Sequence, residues 1–403
     1  MIADRLQYYA AKIRSARAAG NLALRLRRRA YRAVYNPSKD LLDYYFRLNA
    51  EDRRTALAPG FQDHRGNGNH QPDGEMLRRI AAAYKLACRE SPQAPPQFAV
   101  RGLWAEWISI NYGDLISALR TENLESLGRL LENFNRERFS TGTGYGYDDC
   151  LRYRTPLLGR RSIVAQWCHY RNLLQSVGGL ETAYFPLVGN PAGVRRGPNV
   201  VPIETLRHAY NATEIEGLLR AVPNPVVVEI GGGFGGQAFQ TLLRTAARKY
   251  LVFDIPEVAA VCSYVALAAF PGKKVRLFGE GPVSASDGES FDIGVFPHFT
   301  IGGLEARSVD LVFNESSFSE MDGACSRAYL EIVERICRGY FLHSNHDTPI
   351  EFRHPGGAVS ANCIASDLVP SSAFKRIYKR PRVFGRTEDK LFQHYSFLYQ
   401  RIA

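Results

Sequence analysis

The sequence has no uncharged apolar run near the roughly 18 residues that a membrane-spanning helix needs. Its first residues also lack the apolar core of a secretory signal. Both absences argue against an integral membrane protein and against a secreted one. We therefore expect a cytoplasmic protein.

Cysteine pairs with the spacing of a zinc site are missing as well. The seven cysteines are odd in number and scattered, and no two of them form a Cys-x-x-Cys motif. This pattern predicts reduced thiols and no structural zinc.

Basic residues are plentiful, but the excess is concentrated at one end of the chain. Residues 1–50 hold eleven Lys or Arg against three acids, so most of the net charge of +11 lies there. A basic stripe across a catalytic cleft is not indicated, which argues against a nucleic-acid partner. We expect residues 1–40 to form a basic helical arm. Its basic face is either solvated or docks on an anionic membrane surface or a partner protein.

The length of 403 residues exceeds one ordinary core and predicts two domains. Residues 41–219 have mostly helical patterns, for example at Glu75–Cys88, Asp114–Leu131 and Val164–Leu174. The small-residue loop Ser140–Asp149 is either a connector or a lid over a polyhydroxylated substrate. The sequence thus predicts a mostly α-helical domain that can contribute a substrate or lid region.

Residues 220–403 change to strands that alternate with helices. This α/β alternation predicts a doubly wound, Rossmann-like parallel sheet with helices on both faces. The segments around Ile377 and Tyr395–Tyr399 predict a closing antiparallel pair at one edge of the sheet. Ligands of such sheets bind at the carboxyl ends of the strands.

The most informative segment lies at the start of this region. The apolar strand Val226–Ile230 carries Glu229 and runs into Gly231–Gly236, where every residue except Phe234 is glycine. A backbone without Cβ atoms can turn tightly and approach a ligand closely. Gly231, Gly233 and Gly236 also satisfy the G-x-G-x-x-G spacing of dinucleotide sites, a weak signal alone.

Two carboxylates, Glu229 and Asp254, help to identify the nucleoside cofactor that would bind. Glu229 is unfavourable beside a pyrophosphate but suits a ligand with an ammonium and a sulfonium, as in S-adenosylmethionine. Asp254 ends the next strand and can accept hydrogen bonds from ribose hydroxyls of either cofactor. It can also cap the helix that begins near Pro256. A glycine turn can also serve only to close a βα unit.

Several motifs resemble class I methyltransferases, and more narrowly a family of sugar O-methyltransferases. The resemblance covers about Tyr184 to the C-terminus, and its motifs are Glu229–Gly236, Phe253–Pro256, Asn314–Met321 and Gly339–Asn345. It implies a class I methyltransferase sheet that binds S-adenosylmethionine. It further implies that Glu229, Gly231, Gly233 and Gly235 line the methionine end of the cofactor and that Asp254 holds its ribose.

Sugar hydroxyls are weak acids, so methyl transfer to one needs a positioned base or a divalent cation. Three candidates follow predicted strands: His298, Glu320 and His346. A histidine is favoured because neutral imidazole is a base near physiological pH. His343, by contrast, is expected to be structural. We predict no metal site, although His343, His346 and Asp347 loosely resemble a ligand group and a metal requirement stays open.

The resulting hypothesis is an S-adenosylmethionine-dependent O-methyltransferase that acts on a sugar or glycan hydroxyl. A methyltransferase for another acceptor is one alternative, although Asn314–Ser317 lacks the Pro-Pro-Tyr or Pro-Pro-Phe of base N-methylating enzymes. An NAD(P)-dependent oxidoreductase and a non-catalytic binding module are the others.

Overall fold

A computed structural model of the protein describes residues 41–402 apart from 57–60, 66–70, 145, 155–157, 288–289, 350, 354–358 and 385–392. The predicted basic arm of residues 1–40 lies outside the described residues. Within the described ranges, no helix is both long enough and apolar enough to cross a membrane. All seven cysteines are free, and six of them are buried.

The region before residue 220 is mostly helical, as predicted. A π-helical turn at Asp43–Arg47 is followed by α1 (Ala50–Ala56), α2 (Gly74–Glu90), α3 (Gly102–Asn111), α4 (Gly113–Thr121), α5 (Leu124–Glu132), α6 (Gly146–Tyr153) and α7 (Leu158–Ser176). A short hairpin, β1 (Val194–Arg196) and β2 (Asn199–Val201), then leads into α8 (Ile203–Leu219).

The single helix predicted at Asp114–Leu131 was wrong, because the chain breaks there into α4 and α5. Glu122 takes a left-handed backbone conformation with φ of 52°, which ends α4. The side chain of Asn123 then accepts a hydrogen bond of 3.0 Å from the Ser126 N–H and caps α5. Asparagine is a preferred N-cap residue, so the signal for this boundary was present in the sequence.

The region after residue 220 is an eight-stranded sheet with helices between its strands. Its strands are β3 (Val226–Ile230), β4 (Lys249–Asp254), β5 (Val275–Leu277), β6 (Ile293–Pro297), β7 (Val309–Glu315), β8 (Cys337–His346), β11 (Phe374–Pro381) and β12 (His394–Arg401). The helices are α9 (Gly236–Arg244), α10 (Pro256–Ala269) and α11 (Gly323–Ile336), and β9 (Glu351–Arg353) pairs with β10 (Val359–Ala361) in a separate ribbon.

The strand order is β11-β12-β8-β7-β3-β4-β6-β5. The six strands from β8 to β5 are parallel, while β12 runs antiparallel to β8 and to β11. This mainly parallel sheet confirms the predicted α/β Rossmann-like class and its antiparallel edge pair. Because β3 lies between β7 and β4, the order reverses beside the glycine turn, where open α/β sheets place their ligands.

The two faces of the sheet are covered by different helices. Alternate strand residues point to opposite faces, so Val227 packs in the cluster that contains α2 and α10 residues. Val228 packs with residues of α11 on the other face. Glu229 lies two residues after Val227, so its side chain points to the same face of the sheet, toward α9 and α10.

The helical region shares its core with the sheet. Helix α2 packs on α10, and α8 packs against both α7 and α9. Leu77 of α2 and Leu115 of α4 belong to the same buried cluster as Val227 of β3. The helical residues therefore reach the carboxyl ends of the strands, and the division into two domains near residue 220 stays a prediction.

Candidate active site

A cavity of about 860 Å³ opens at the carboxyl ends of the central strands. Both the helical region and the sheet contribute to its wall. Seven of the eight predicted site residues line it: Glu229, Gly231, Gly233, Asp254, His298, Glu320 and His346. The sheet thus brings together residues up to 117 positions apart in the chain. This agrees with the expectation that the ligand site lies at the carboxyl ends of the parallel strands.

The glycine turn requires glycine for two physical reasons. Gly231 and Gly233 have φ angles of 73° and 58°, a region that other residues rarely adopt. A Cβ on Gly231 would also lie 2.3 Å from Ser317 Oγ, and one on Gly233 would lie 2.9 Å from the Thr143 carbonyl oxygen. The turn is therefore narrow and presents bare backbone to the cavity.

Gly235 differs from the other predicted glycines because it does not line the cavity. It is the N-cap residue of α9, with φ of 90°, and a Cβ there would lie 3.2 Å from Cys262 Sγ on α10. Gly232 lines the cavity instead. The structure therefore gives Gly235 a role in joining the turn to α9, and its contact with a cofactor stays a prediction.

Glu229 is a buried acid whose carboxyl group has a single hydrogen bond among the described residues. Only 3% of its surface is exposed, and Oε2 accepts a hydrogen bond of 2.8 Å from the Tyr250 hydroxyl. Burial raises the pKa of Glu229 to about 8, because a charge is costly where water is excluded. Among the described residues, no cation lies within ion-pair distance of it.

Asp254 ties the end of β4 to the glycine turn. Its Oδ2 accepts a hydrogen bond of 2.9 Å from the Gly233 N–H, and its Oδ1 accepts one of 2.7 Å from the Ile255 N–H. Burial still raises its pKa to about 7. Each oxygen keeps a second lone pair for a ligand hydroxyl. The alternative of a helix cap was wrong, because the N-cap residue of α10 is Ile255.

Glu320 is a further acid that lines the cavity, and it lies in a short helical turn after β7. Its Oε2 accepts a hydrogen bond of 2.9 Å from Trp104 Nε1 of α3, and burial raises the pKa of Glu320 to about 7. Across the described chain, neither Asp254 nor Glu320 forms an ion pair. Three acids without a cationic partner thus face one cavity.

His298 follows β6 and is almost fully buried, with 5% of its surface exposed. Its Nε2 lies 2.7 Å from the Phe98 carbonyl oxygen, and Nε2 must therefore carry the proton in that contact. Burial lowers the pKa of His298, so the ring is neutral at physiological pH. Because Pro297 pairs with Asp254 across β4 and β6, His298 lies on the Asp254 side of the cavity.

His346 ends β8, on the other side of β3 from Asp254. It is buried, and its ring lies 5.6 Å from the ring of His394, which also lines the cavity. His343 is placed differently. Its ring stacks on Phe397 at 4.8 Å, and burial lowers its pKa to about 3, which agrees with the structural role predicted for it. No group of three or more His, Cys, Asp or Glu side chains in the described residues could hold a metal ion.

A charged network that sequence reasoning missed covers the end of β7. Glu315 pairs with Arg207 of α8 and, at 2.7 Å, with Arg382 after β11. Asn211 Nδ2 of α8 donates a further hydrogen bond of 3.0 Å to Glu315. Glu315, Arg207 and Arg382 all line the cavity. Nothing in the local sequence marks this network, because its members lie far apart in the chain, in α8, at the end of β7 and after β11.

Two tryptophans of α3 form another part of the wall that the sequence did not reveal. Trp104 and Trp107 are half-buried and pack edge to face at 5.5 Å. The loop predicted at Ser140–Asp149 was partly wrong, because residues from Gly146 onward belong to α6. Before α6, a Cβ on Gly142 would meet the Trp107 ring at 2.2 Å, and the Thr143 carbonyl lies where a Cβ on Gly233 would point.

Comparison with known proteins gives structural neighbours only. No protein-family model matches the chain, and no curated protein matches its sequence. A 1,6-didemethyltoxoflavin-N1-methyltransferase from Burkholderia thailandensis, with bound S-adenosylhomocysteine, is 13% identical with a TM-score of 0.32, covering 48% of this chain and 77% of that one. The magnesium protoporphyrin IX methyltransferase of Synechocystis PCC 6803, with bound S-adenosylmethionine, is 10% identical with a TM-score of 0.32, covering 49% and 82%.

A glycopeptide N-methyltransferase complexed with S-adenosylmethionine is a third neighbour, at 16% identity and a TM-score of 0.30, covering 48% of this chain and 93% of that one. All three are methyltransferases, and each matches about half of this chain. At such low scores we draw no functional conclusion from the likeness. The Rossmann-like fold is established by the strand order of the chain itself.

Proposed function

We propose that the protein is an S-adenosylmethionine-dependent O-methyltransferase that acts on a sugar or glycan hydroxyl. One observation carries the cofactor part of the proposal. Glu229, Asp254 and Glu320 are carboxyl groups without cationic partners in the described structure, and they face one cavity beside a glycine turn. A site of this kind favours a cationic ligand, because opposite charges attract strongly where water is excluded.

The residues present fit S-adenosylmethionine in a specific orientation. Gly231–Gly233 leave room for the methionine end beside Glu229, which would attract its ammonium group. The free lone pairs of Asp254 suit the two ribose hydroxyls. When bound, this cofactor supplies a methyl group already activated by its sulfonium.

A dinucleotide cofactor fits the cavity beside Gly231–Gly233 less well than S-adenosylmethionine does. A pyrophosphate at Gly231–Gly233 would lie beside Glu229 and would require that acid to stay protonated, whereas a cationic ligand is stabilised by its ionised form. Glu229 therefore offers attraction to S-adenosylmethionine and none to the pyrophosphate of an NAD(P)-dependent oxidoreductase. The glycine spacing alone does not distinguish S-adenosylmethionine from NAD(P), whereas the position of Glu229 does.

The acceptor side of the cavity supports a polyhydroxylated substrate. Trp104 and Trp107 offer half-buried aromatic surface, which suits the apolar face of a sugar ring. Glu320 and the Glu315–Arg207 pair offer hydrogen-bond acceptors and donors for its hydroxyls. The combination of a few polar groups with apolar wall is what small-molecule sites show.

His346 is the base that this geometry favours. A general base needs an available lone pair close to the hydroxyl that loses its proton. His298 keeps a lone pair on Nδ1, because its Nε2–H donates to the Phe98 carbonyl oxygen, but it lies on the Asp254 side, where the ribose would be. Glu320 has one oxygen engaged by Trp104. His346 lies on the other side of β3, toward Glu315, so it would accept the proton of the sugar hydroxyl. Glu320 would bind the sugar, and His298 would lie beside the nucleoside of the cofactor.

The test is methyl transfer measured directly. Purified protein is incubated with isotopically labelled S-adenosylmethionine and a panel of nucleotide sugars, glycans, amines and nucleic acids, and products are identified by mass spectrometry. Label on a sugar oxygen is the expected result. Label only on nitrogen would exclude the O-methyltransferase, and binding of NAD(P) without binding of S-adenosylhomocysteine would favour the oxidoreductase.

A further inference from the structure

His208 of α8 lies beside the end of the glycine turn, where α9 begins. Only 6% of its surface is exposed, and it lines the cavity. Its ring lies 5.7 Å from the ring of Phe234. A Cβ on Gly236 would lie 2.6 Å from His208 Nδ1, so Nδ1 closely approaches the first residue of α9.

The contacts of His208 fix where its proton resides. Nε2 lies 3.3 Å from Arg207 Nη2. A guanidinium group only donates hydrogen bonds, so Nε2 must be the acceptor in this pair. Burial and the neighbouring Arg207 lower the pKa of His208, which keeps the ring neutral. A neutral ring that accepts at Nε2 carries its proton on Nδ1.

The Nδ1–H group has no hydrogen-bond partner among the described residues. A buried donor without an acceptor destabilises a protein, so such a group needs an explanation, and one that lines a cavity can be satisfied by a ligand atom. Helix α9 begins beside it, and the first N–H groups of a helix also lack partners within the helix. Several donors therefore converge at the junction of the glycine turn and α9.

We propose that the Nδ1–H of His208 donates a hydrogen bond to the carboxylate at the methionine end of the cofactor. The inference rests on the proposed function and deepens it by assigning a binding residue outside the glycine motif. The start of α9 contributes to the same subsite, because a helix N-terminus favours an anion. Arg207 positions the ring by donating to Nε2. Glu229 and His208 would then attract the ammonium and the carboxylate of one amino-acid group.

The test compares two ligands and three proteins by titration calorimetry. The ligands are S-adenosylhomocysteine and its analogue that lacks the carboxylate. The proteins are wild type, His208→Leu, which removes the donor at similar volume, and His208→Asn, whose side-chain amide can place an N–H near the position of Nδ1. Thermal unfolding of each variant checks that it is folded.

We expect His208→Leu to weaken S-adenosylhomocysteine binding about ten- to hundred-fold, the range for a hydrogen bond to a charged group. Binding of the analogue should be unchanged, and His208→Asn should recover much of the loss. Equal weakening of both ligands in His208→Leu would overturn the role of His208 while leaving the cofactor assignment in place. Absence of S-adenosylhomocysteine binding to wild type would remove the proposed function and this inference together.

Discussion

The hydroxyl of Tyr250 donates a hydrogen bond of 2.8 Å to Glu229 Oε2 in a part of the sheet that water does not reach. This bond is the only hydrogen bond of the Glu229 carboxyl group in the described structure. It offsets only part of the cost of burying a charge, so the pKa of Glu229 rises to about 8. Without a ligand, Glu229 is therefore largely protonated at neutral pH.

The stability of the cofactor-free protein should fall as pH rises. An acid whose pKa is higher in the folded state stabilises the fold below its ordinary pKa, and this stability is lost as pH rises through about 8. From about pH 6 to about pH 9, Glu229 should account for a loss of about 2–3 kcal/mol. Urea unfolding of wild type and Glu229→Gln checks this, because the amide cannot ionise. Parallel pH profiles of the two proteins would show that Glu229 has an ordinary pKa.

Binding of S-adenosylmethionine should release protons near neutral pH. The cationic ligand favours the ionised form of Glu229, so the acid loses its proton on binding. Affinity should accordingly increase between about pH 6 and about pH 8. Calorimetry in two buffers with different ionisation heats measures the number of protons released. Identical heats in both buffers, after correction for the ligand, would contradict the electrostatic account.

Gly233→Ala should weaken cofactor binding about ten-fold or more. Alanine is strained at φ of 58°, and its Cβ would lie 2.9 Å from the Thr143 carbonyl oxygen. The matched control is Gly217→Ala in α8, where a Cβ meets nothing within 4 Å. The control should bind the cofactor normally and be slightly more stable. Equal binding by the two variants would mean that the turn does not approach the ligand.

Trp104→Ala should impair acceptor binding more than cofactor binding. The substitution removes both the ring surface and the Nε1–H that holds Glu320 at 2.9 Å. We expect the KM for the sugar to rise about ten-fold, within the range reported for stacking on aromatic side chains. Trp104→Phe keeps a ring and loses only the hydrogen bond, so it should lie between wild type and Trp104→Ala. A change confined to the Kd of S-adenosylhomocysteine would place Trp104 at the cofactor instead.

His346→Gln should lower kcat about 100-fold or more while leaving the Kd of S-adenosylhomocysteine unchanged. Loss of a general base typically reduces the rate by 10²–10⁴. His298→Ala provides the comparison, since His298 lies on the other side of β3. If His298→Ala loses turnover without losing cofactor affinity and His346→Gln retains its activity, then His298 is the base.

The sequence predicted the parts of the site that local pattern determines. A strand, an acid and a glycine turn follow each other in order, so Glu229, Gly231 and Gly233 could be placed without the structure. Asp254 could be placed as well, because acids at the ends of neighbouring parallel strands must lie close together. The antiparallel edge was predicted from the segments around Ile377 and Tyr395–Tyr399, although β12 does not alternate strictly and buries Phe397, Leu398 and Tyr399 in a row.

The parts that depend on packing of distant segments could not be predicted. Trp104 and His208 reach the cavity only because α3 packs on the helical turn after β7 and α8 packs on α9, and no local pattern predicts either contact. The position of β6 between β4 and β5 likewise follows from neither strand alone. Periodicity identifies an element but does not determine which neighbour it packs against.

Recognition of a cation by Glu229 is best tested by titrating S-adenosylmethionine into wild type and into Glu229→Gln. We expect one-to-one binding to wild type with proton release, and binding to Glu229→Gln that is at least ten-fold weaker with much less proton release. Equal affinity for both proteins would contradict this expectation, because the recognition of a cation by the buried acid beside the glycine turn would then have no role.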